Sequence, residues 1–361
     1  MKLFKSLLVA PAALGLLAPV AATANEVTIN DFNPAEELAI TNSRVDGLEA
    51  RLNNFEAGSF SETTSASFSV DFAIGSVDGN ANETVGTAYG YQIDLSSSFT
   101  GEDALSVSLD AGSGASALGE LDLNSSGDGL RVDGITYSFP VGEKLTVLVG
   151  DSTDGSSLYS TACVYGGFTN TLDDCGNASS AFTSPADGVA LSASYDIGNG
   201  FTGAFGYAGT GTAATGLMGS GTDYYGGQLT YTGDNFGASV TYADLDTATA
   251  WGLNGYYAFD SDLPSLSVGY EFTENEGATK DDTQWFAGVQ RDEIGPGSLG
   301  IAAGNKGPQR DGGTEEMAYE AFYAYSVNDS MTITPAIFIL ENNLAGETDE
   351  TGIVVKTSFS F

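Results

Sequence analysis

The sequence contains no histidine among its 361 residues. Histidine is the usual general acid or base near neutral pH and a common metal ligand, so its absence argues against catalytic triads and histidine-based metal sites. Paired carboxylates occur at 173–174, 281–282 and 315–316, but each pair lies in an acid-rich connecting segment, where solvated loop charge explains it. The sequence therefore predicts no enzymatic activity, no cofactor and no metal site.

Basic residues are also scarce, with 11 Lys and Arg against 48 Asp and Glu, a formal net charge of −37. Nucleic-acid binding requires clustered basic side chains for the phosphates, so nucleic acid is excluded as a partner. The acidic balance has two compatible interpretations. One is a solvated acidic surface, and the other is a field that favours cations around an opening.

Long apolar runs are confined to the N-terminus. Residues 1–24 combine Lys2 and Lys5 with an apolar centre and a small-residue A-x-A site at 22–24, which predicts a signal peptide cleaved before Asn25. Beyond it, no window approaches the ~18–20 apolar residues of a membrane-spanning helix. The mature chain, with a formal charge of −39 once both lysines are removed, is therefore predicted to be exported and either soluble or a β-barrel.

Cysteine is nearly absent, and the two that occur are Cys163 and Cys175. An even count in an exported protein predicts one disulfide bond, which would close a short loop. In chain-entropy models, closing a loop of about this size stabilises the fold by about 3 kcal/mol.

A short segment at 25–57 has helical periodicity. Its apolar residues recur at heptad core spacing and predict a coiled-coil helix with a core of Leu38, Val45, Leu48, Leu52 and Phe55. About two and a half heptads are marginal as an isolated helix in water. Copies of the same chain are the natural partners. The alternative is one amphipathic helix packed on its own domain.

After residue 60 the apolar pattern changes to period two. In "SFSVDFAI", Phe68, Val70, Phe72 and Ile74 point to one side of an extended chain and Asp71 to the other. Sixteen segments of this kind are predicted as strands, at 63–74, 88–98, 103–111, 130–139, 144–150, 187–195, 200–208, 223–232, 236–243, 249–258, 264–272, 283–290, 297–303, 316–325, 330–340 and 351–361.

The connections between these segments alternate between short turns and long, acidic, glycine-rich loops. This alternation is typical of outer-membrane barrels, whereas a soluble β-sandwich has no reason to sort its loops by length. The predicted fold class is all-β. It is a 16-stranded antiparallel transmembrane β-barrel at 58–361, preceded by the short N-terminal coiled-coil helix.

The C-terminal stretch "GIVVKTSFSF" fits the last strand of such a barrel. Ile353, Val355, Phe359 and Phe361 share one face of an extended chain. In a closed barrel the last strand pairs with the first, so that no strand edge is left unsatisfied in lipid. We expect this strand to pair with "SASFSVDFAI" and Phe361 to lie at the periplasmic interface, where aromatic residues collect.

Three segments carry a family resemblance: the leader "MKLF…LLVAPAALGLLAP", the heptad segment "RVDGLEARLNNFEA" and the closing strand. In these the chain resembles cyanobacterial outer-membrane porins, the iron-uptake porin group similar to carbohydrate-selective porins. The resemblance implies a homotrimer and transport of inorganic ions, iron among them, or carbohydrates. Members usually carry a surface-layer-homology domain that grips peptidoglycan. Only about ten residues, 25–34, separate the leader from the helix here, so that domain is missing and peptidoglycan anchoring is not implied.

In sixteen-stranded porins the third external loop folds inward and narrows the pore. The longest connection here, 151–186, occupies that position and contains both cysteines. We expect its carboxylates at Asp151, Asp154, Asp173 and Asp174 to set the electrostatics of a constriction, and Arg131 to face them or to lie at the rim. The alternative is a surface hairpin stabilised by its disulfide.

The sequence thus predicts a passive diffusion channel for small hydrophilic solutes and inorganic ions, embedded in the lipid of a Gram-negative type outer membrane. A preference for cations is expected from the acidic balance. Two alternatives remain open at this stage. One is a structural or adhesive barrel without an open channel, and the other is a soluble β-sandwich that binds a ligand.

Overall fold

The structure is a computed structural model of the chain. The described residues are 64–79, 83–114, 116–121, 123–124, 127–175, 188–210, 217–218, 223–259, 263–278, 280–343 and 348–361. The predicted signal peptide at 1–24 lies outside them, as does the predicted heptad segment with Leu38, Val45, Leu48, Leu52 and Phe55. All described residues belong to one compact unit, Ala57–Phe361.

Strands make up most of this unit. They are β1 (Thr64–Asp78), β2 (Gly86–Ser97), β3 (Ala104–Gly112), β4 (Arg131–Val141), β5 (Leu145–Asp151), β6 (Val189–Gly198), β7 (Phe201–Gly209), β8 (Asp223–Thr232), β9 (Phe236–Asp244), β10 (Ala248–Tyr257), β11 (Ser265–Asn275), β12 (Asp282–Ile294), β13 (Gly297–Asn305), β14 (Gln309–Arg310), β15 (Met317–Asn328), β16 (Met331–Leu340) and β17 (Glu350–Ser360). In the part of the chain that the structure describes, two 3₁₀ turns lie between strands, at Ser116–Leu121 and Asp173–Cys175.

Sixteen of these strands form a closed antiparallel barrel, so the predicted fold class is confirmed. Each long strand pairs with its neighbours along the chain, and β17 pairs with β1 to close the sheet. The two-residue β14 was not predicted. It lies within a long connection and pairs with the start of β12. The other sixteen strands each overlap one predicted segment, with ends that differ by at most four residues.

The barrel closes where β1 pairs with β17, and we call this pairing the closing seam. The N–H of Phe68 donates to the C=O of Phe361 at 2.8 Å, and the N–H of Phe361 donates back at 3.0 Å. The two rings stack with centroids 5.6 Å apart. Further along the seam Val70 pairs with Phe359. The last residue is therefore part of the sheet, and no free strand edge remains there.

The two faces of the barrel wall differ in chemistry, as alternation along each strand requires. On β8, Leu229 is 45% exposed, whereas its neighbours Gln228 and Thr230 are 7% and 2% exposed. Large exposed apolar side chains on the same face as Leu229 recur around the barrel: Phe72, Ile74, Leu191, Phe205, Trp251, Leu253, Val268, Ile301, Ile337 and Ile353. A wall that is apolar outside and polar inside suits a lipid environment.

Aromatic rings cluster at the end of the barrel that carries the short turns. Tyr231 lies 4.9 Å from Phe201 and 5.2 Å from Phe236, measured between ring centroids. Tyr257 and Phe259 form another pair at 4.7 Å. Aromatic residues collect at the boundary between lipid and water in such barrels, so these side chains mark one edge of the apolar band.

The short turn between β2 and β3 is held by one carboxylate. Asp103, 6% exposed, accepts hydrogen bonds from the N–H groups of Phe99 and Thr100 and from the hydroxyls of Ser98, Thr100 and Tyr137, at 2.7–2.9 Å. Burial acts to raise the pKa of this carboxyl group, but the hydrogen bonds outweigh burial and hold the pKa of Asp103 well below its usual range.

None of the helical segments among the described residues is long and apolar enough to cross a bilayer.

Candidate functional site

The connection after β5 lies against the polar face of the wall, which is the interior of the barrel. Its first half is anchored on β6 and β8. The N–H of Leu158 donates to Ser192 Oγ at 3.2 Å, and the N–H of Ser160 donates to Gln228 Oε1 at 2.8 Å. Thr230 Oγ1 donates in turn to the C=O of Ser160 at 2.8 Å. The loop therefore begins its course along the inner wall, not outside the barrel.

Further along the chain, the loop continues around the inner wall to β11 and β12. The N–H of Val164 donates to Ser267 Oγ on β11 at 3.1 Å. The N–H of Gly166 donates to Gln290 Oε1 on β12 at 2.9 Å. β6 and β12 are far apart around the barrel, and the loop is also bonded to β8 and β11 between them, so it follows a large part of the inner circumference.

One buried carboxylate on the wall binds the tip of this loop. Glu320 on β15 is 3% exposed. Its Oε1 accepts from the Tyr165 hydroxyl at 2.7 Å and the Phe168 N–H at 2.9 Å. Its Oε2 accepts from the N–H and hydroxyl of Thr169 at 2.8 and 2.6 Å. Four donors on one carboxylate satisfy its lone pairs and offset the cost of burying it.

An apolar cluster surrounds this anchor. Tyr165 and Phe168 of the loop pack on Phe286 and Phe322 of the wall, with ring centroids 5.4–6.1 Å apart. Gly300 lies opposite Phe322 on the neighbouring strand, and a Cβ at Gly300 would lie 2.3 Å from that ring. The loop is thus held by apolar packing as well as by hydrogen bonds.

The electrostatics of the anchor follow from this burial. Burial, reinforced by the neighbouring Glu320, raises the pKa of Tyr165 far above its usual range, so its hydroxyl stays a hydrogen-bond donor. Lys356 on β17 holds its Nζ 5.5 Å from the centre of the Phe168 ring, a cation–π contact.

The two cysteines bound the segment 163–175, which we call the loop tip. A disulfide bond joins Cys163 and Cys175. The residues that bind Glu320 all fall between them in sequence. The tip also contacts the preceding long connection, because Thr171 Oγ1 donates to Glu120 Oε2 at 2.7 Å. The loop tip is therefore a small closed ring tied to the wall and to a second loop.

The five charged residues singled out in the sequence are not brought to one place. Asp151 ends β5 and Asp154 lies in the first turn of the loop, and both are exposed. Asp173 and Asp174 belong to the 3₁₀ turn beside Cys175, and Asp173 Oδ1 accepts from the Gly167 N–H at 3.2 Å.

Arg131 begins β4, at the end of the barrel that carries the long loops. It is exposed, and in the strand register it lies opposite Asp110 of β3. The structure therefore pairs Arg131 by register with a carboxylate of the wall.

Three carboxylates follow the polar face of β1, β2 and β3. They are Asp71, Asp94 and Asp110, and the register staggers them, because Asp71 pairs with Gly90 and Asp110 with Gln92. Asp94 Oδ1 accepts from Ser108 Oγ at 2.6 Å and Gln92 Nε2 at 2.8 Å. Successive levels on one strand face are separated by two residues, or about 6.5 Å. The three carboxylates therefore lie at successive levels along this wall.

A polar cavity of about 610 Å³ lies between the loop and the wall of β8–β12. The loop contributes Asn170 and Thr171, and the wall contributes Glu271 and Gln284. Among the residues that the structure describes, no three His, Cys, Asp or Glu side chains converge in a way that suits a metal ion.

The most informative residues, Glu320 and Lys356, were not singled out from the sequence. The available signal was the alternation itself. In "MAYEAFYAY", Glu320 shares a strand face with Ala318 and Phe322, opposite Tyr319 and Tyr323. A single acidic residue in the middle of the inward-facing side of a strand predicts a side chain that faces the lumen. It does not predict which groups bind that side chain.

A closed sixteen-stranded barrel with a polar interior and a loop bonded to its inner wall defines the class of protein as a membrane channel of the porin type. The family model of Gram-negative porins matches residues 53–336, and the chain belongs to this family. Such proteins are channels for solutes in outer membranes and not enzymes, and the chain is accordingly an outer-membrane channel protein.

The chain also has similar relatives and similar solved structures. It is 27% identical over 435 aligned positions to an uncharacterized Nostoc protein, alr4550, covering 94% of this chain and 74% of the relative. OprB of Pseudomonas putida superposes with a TM-score of 0.62 at 13% identity, covering 83% of this chain and 94% of OprB. An anion-selective porin from Comamonas acidovorans gives 0.59 at 15% identity, covering 83% and 99%. These likenesses in structure concern the fold.

Proposed function

We propose that the protein is a passive diffusion channel for small hydrophilic solutes and inorganic ions, that it prefers cations, and that the 151–186 loop constricts its pore. The observation that carries this proposal is the course of the loop, which is hydrogen-bonded to the inner wall from β6 to β15. A polar interior keeps such a pore filled with water, and no cofactor is needed.

The anchoring of the loop supports its role as a constriction. The lumen of a barrel with 16 strands is wide enough for an aqueous channel unless something fills it. Here the loop tip and its apolar partners occupy the sector near β12–β17, where Phe168, Leu172 and Phe286 are each no more than 5% exposed. Solutes would then pass between the loop and the remaining wall, and the anchor at Glu320 would set the width.

The charges along the lumen support a preference for cations. Asp71, Asp94 and Asp110 lie on the polar face of β1–β3. Lys356 points its charge at the Phe168 ring, and Arg131 lies opposite one of the acids. Local charge, not total charge, decides selectivity. The anion selectivity named for the Comamonas porin is a property of that protein.

Several further features extend this proposal. We expect a signal peptide at 1–24, a periplasmic segment at 25–57 and a homotrimer, in which copies of the heptad helix pack together. The transported ions would include iron, as in the iron-uptake porin group that the sequence resembles. Four carboxylates, Asp151, Asp154, Asp173 and Asp174, would contribute negative charge along the loop.

Permeability of liposomes tests the channel and its width. Purified protein reconstituted into vesicles should admit small neutral sugars at rates that fall steeply with sugar size. An unanchored variant, Glu320→Ala, should admit larger sugars than the wild type. Folded, inserted protein that admits no sugar would contradict the proposal and favour a structural or adhesive barrel without an open channel.

Ion selectivity is tested separately by charge removal on the wall. Replacing Asp71, Asp94 and Asp110 together by Asn keeps the size of each side chain and removes three charges. The permeability ratio of K⁺ to Cl⁻ should fall several-fold. The matched control is Glu274→Gln, because Glu274 is an exposed residue on β11. An unchanged ratio in the triple variant would refute this account of selectivity.

A further inference from the structure

Between its anchors on β8 and β11, the loop passes over a stretch of wall with unpaired polar groups. Among the described residues, Ser239 Oγ, both side-chain polar atoms of Asn254 and Glu271 Oε2 are shielded from solvent and have no hydrogen-bond partner. The three residues are 6%, 6% and 9% exposed. Buried polar atoms in native proteins are almost always paired with protein, water or an ion.

These three residues are neighbours on one face of the sheet. Ser239 of β9 lies directly opposite Asn254 of β10. Asn254 lies opposite Gly269 of β11, and Glu271 lies opposite Gly252 of β10. Asn254 and Glu271 are therefore diagonal neighbours, within reach of each other's side chains. On β10 and β11, a glycine lies directly opposite each of them. We call this group of Ser239, Asn254 and Glu271 the niche.

The loop covers the niche. On one side of it, Tyr159 packs against a cluster of buried alanines that includes Ala243 and Ala250. On the other side, the N–H of Val164 is bonded to Ser267 Oγ. Ala162, between these two contacts in sequence, is only 1% exposed. The residues that bracket the niche thus belong to one short loop segment, and the unpaired wall atoms lie beneath it.

The charge of the niche identifies the missing partner. Glu271 supplies a carboxylate whose Oε2 is buried without a hydrogen-bond partner, and such burial is costly. Besides Glu271 itself, two charged side chains line the polar cavity described above. Asp282 is paired with Arg310 at 3.1 Å. Lys306 Nζ donates to the C=O of Glu341 at 3.3 Å and to Asn342 Oδ1. In these contacts, neither side chain neutralises Glu271.

We propose that the niche binds one monovalent cation, K⁺ or Na⁺, beneath the loop. Carboxylate, amide and hydroxyl oxygens are the ligands that hard cations prefer. One positive charge balances the single carboxylate, whereas a divalent ion would leave a buried excess charge. Water bound to the cation would accept from the unpaired amide N–H groups of Asn254. The ion fills the gap between the two loop anchors and stabilises the loop on the wall.

Crystals grown in RbCl or a thallium(I) salt test the site directly. An anomalous difference peak bounded by Ser239, Asn254 and Glu271 is expected. The peak should vanish in Glu271→Gln, which keeps the size of the side chain and removes its charge. It should persist in Glu274→Gln, a control on the exposed part of the same strand. Ordered water with no anomalous peak in the wild type would overturn the proposal and indicate a protonated carboxyl group.

A stability measurement supplies an independent readout, and its wild-type comparison does not depend on any variant. The midpoint of thermal unfolding of the wild type in detergent should rise by about 2–4 °C when KCl at roughly ten times the dissociation constant replaces N-methyl-D-glucamine chloride at equal ionic strength. Glu271→Gln should lose this difference and Glu274→Gln should keep it. Equal midpoints in the two salts would contradict a bound cation, whether or not the channel conducts.

Discussion

Replacing Glu320 by Ala is the most informative single perturbation of the loop. The substitution removes the acceptor for the Tyr165 hydroxyl, the Phe168 N–H and both donors of Thr169. Hydrogen bonds to a charged group contribute about 1.5–3 kcal/mol each, and they are not additive when they share one acceptor. We expect the free energy of loop opening to fall by about 3 kcal/mol for the four bonds together. This value is less than their sum because water in the pore will hydrogen-bond to some of the donors that lose Glu320.

Amide hydrogen exchange measures this loss at the loop itself. If the loop opens with a free energy lower by about 3 kcal/mol, exchange of the Phe168 and Thr169 amides should accelerate on the order of 100-fold. Glu320→Gln retains one acceptor oxygen and should give a smaller effect. Single-channel recordings of the Ala variant should show larger and noisier conductance steps, since the loop is no longer held against β15.

The matched control is Glu274→Ala, an acid of the same type that lies exposed on β11. It should leave both the exchange rates and the conductance unchanged. The reasoning is refuted if Glu320→Ala exchanges at the wild-type rate while the barrel remains folded. In that case apolar packing alone would hold the loop, and the carboxylate would be incidental.

Three further predictions follow from the loop, the seam and a turn. Replacing both Cys163 and Cys175 by Ser should destabilise the loop tip by about 3 kcal/mol and speed exchange within the tip, whereas barrel amides should stay protected. Phe361→Ala removes the stack on Phe68 and should slow refolding into detergent or lipid, measured by the shift in gel mobility on heating; unchanged kinetics would argue against a role in closing the seam. The pKa of Asp103 is lowered in the folded state, so its contribution to stability is full above its unfolded pKa of about 3.9 and is lost as pH falls below that value. Asp103→Asn should therefore lower the unfolding midpoint at pH 7 and flatten its decline in acid, and parallel pH profiles would contradict this.

The barrel was predictable because its signal is local. Alternation such as that of Phe68, Val70 and Phe72 marks a strand with one apolar face, and sixteen repeats of the pattern with sorted loop lengths leave few other folds. Strand ends were less predictable. On β1 and β12 the pairing continues four residues beyond the predicted ends, because backbone hydrogen bonds extend the sheet where the side chains no longer alternate.

The interior site was less predictable because its contacts are distant in the sequence. The Tyr165 hydroxyl and its acceptor Glu320 are separated by 155 positions. No local pattern relates the two, and the register of intervening strands has to be known before they can be placed together. For the same reason, the niche of Ser239, Asn254 and Glu271 is apparent only from paired strands.

The most direct test of the central claim is reconstitution of the purified protein into a planar bilayer, with conductance recorded first and the reversal potential under a KCl gradient second. We predict stepwise openings and a reversal potential displaced toward the K⁺ equilibrium value. Openings with a displacement toward Cl⁻ would keep the channel and contradict its proposed selectivity. An absence of conductance from protein shown to be folded and inserted would contradict the account itself.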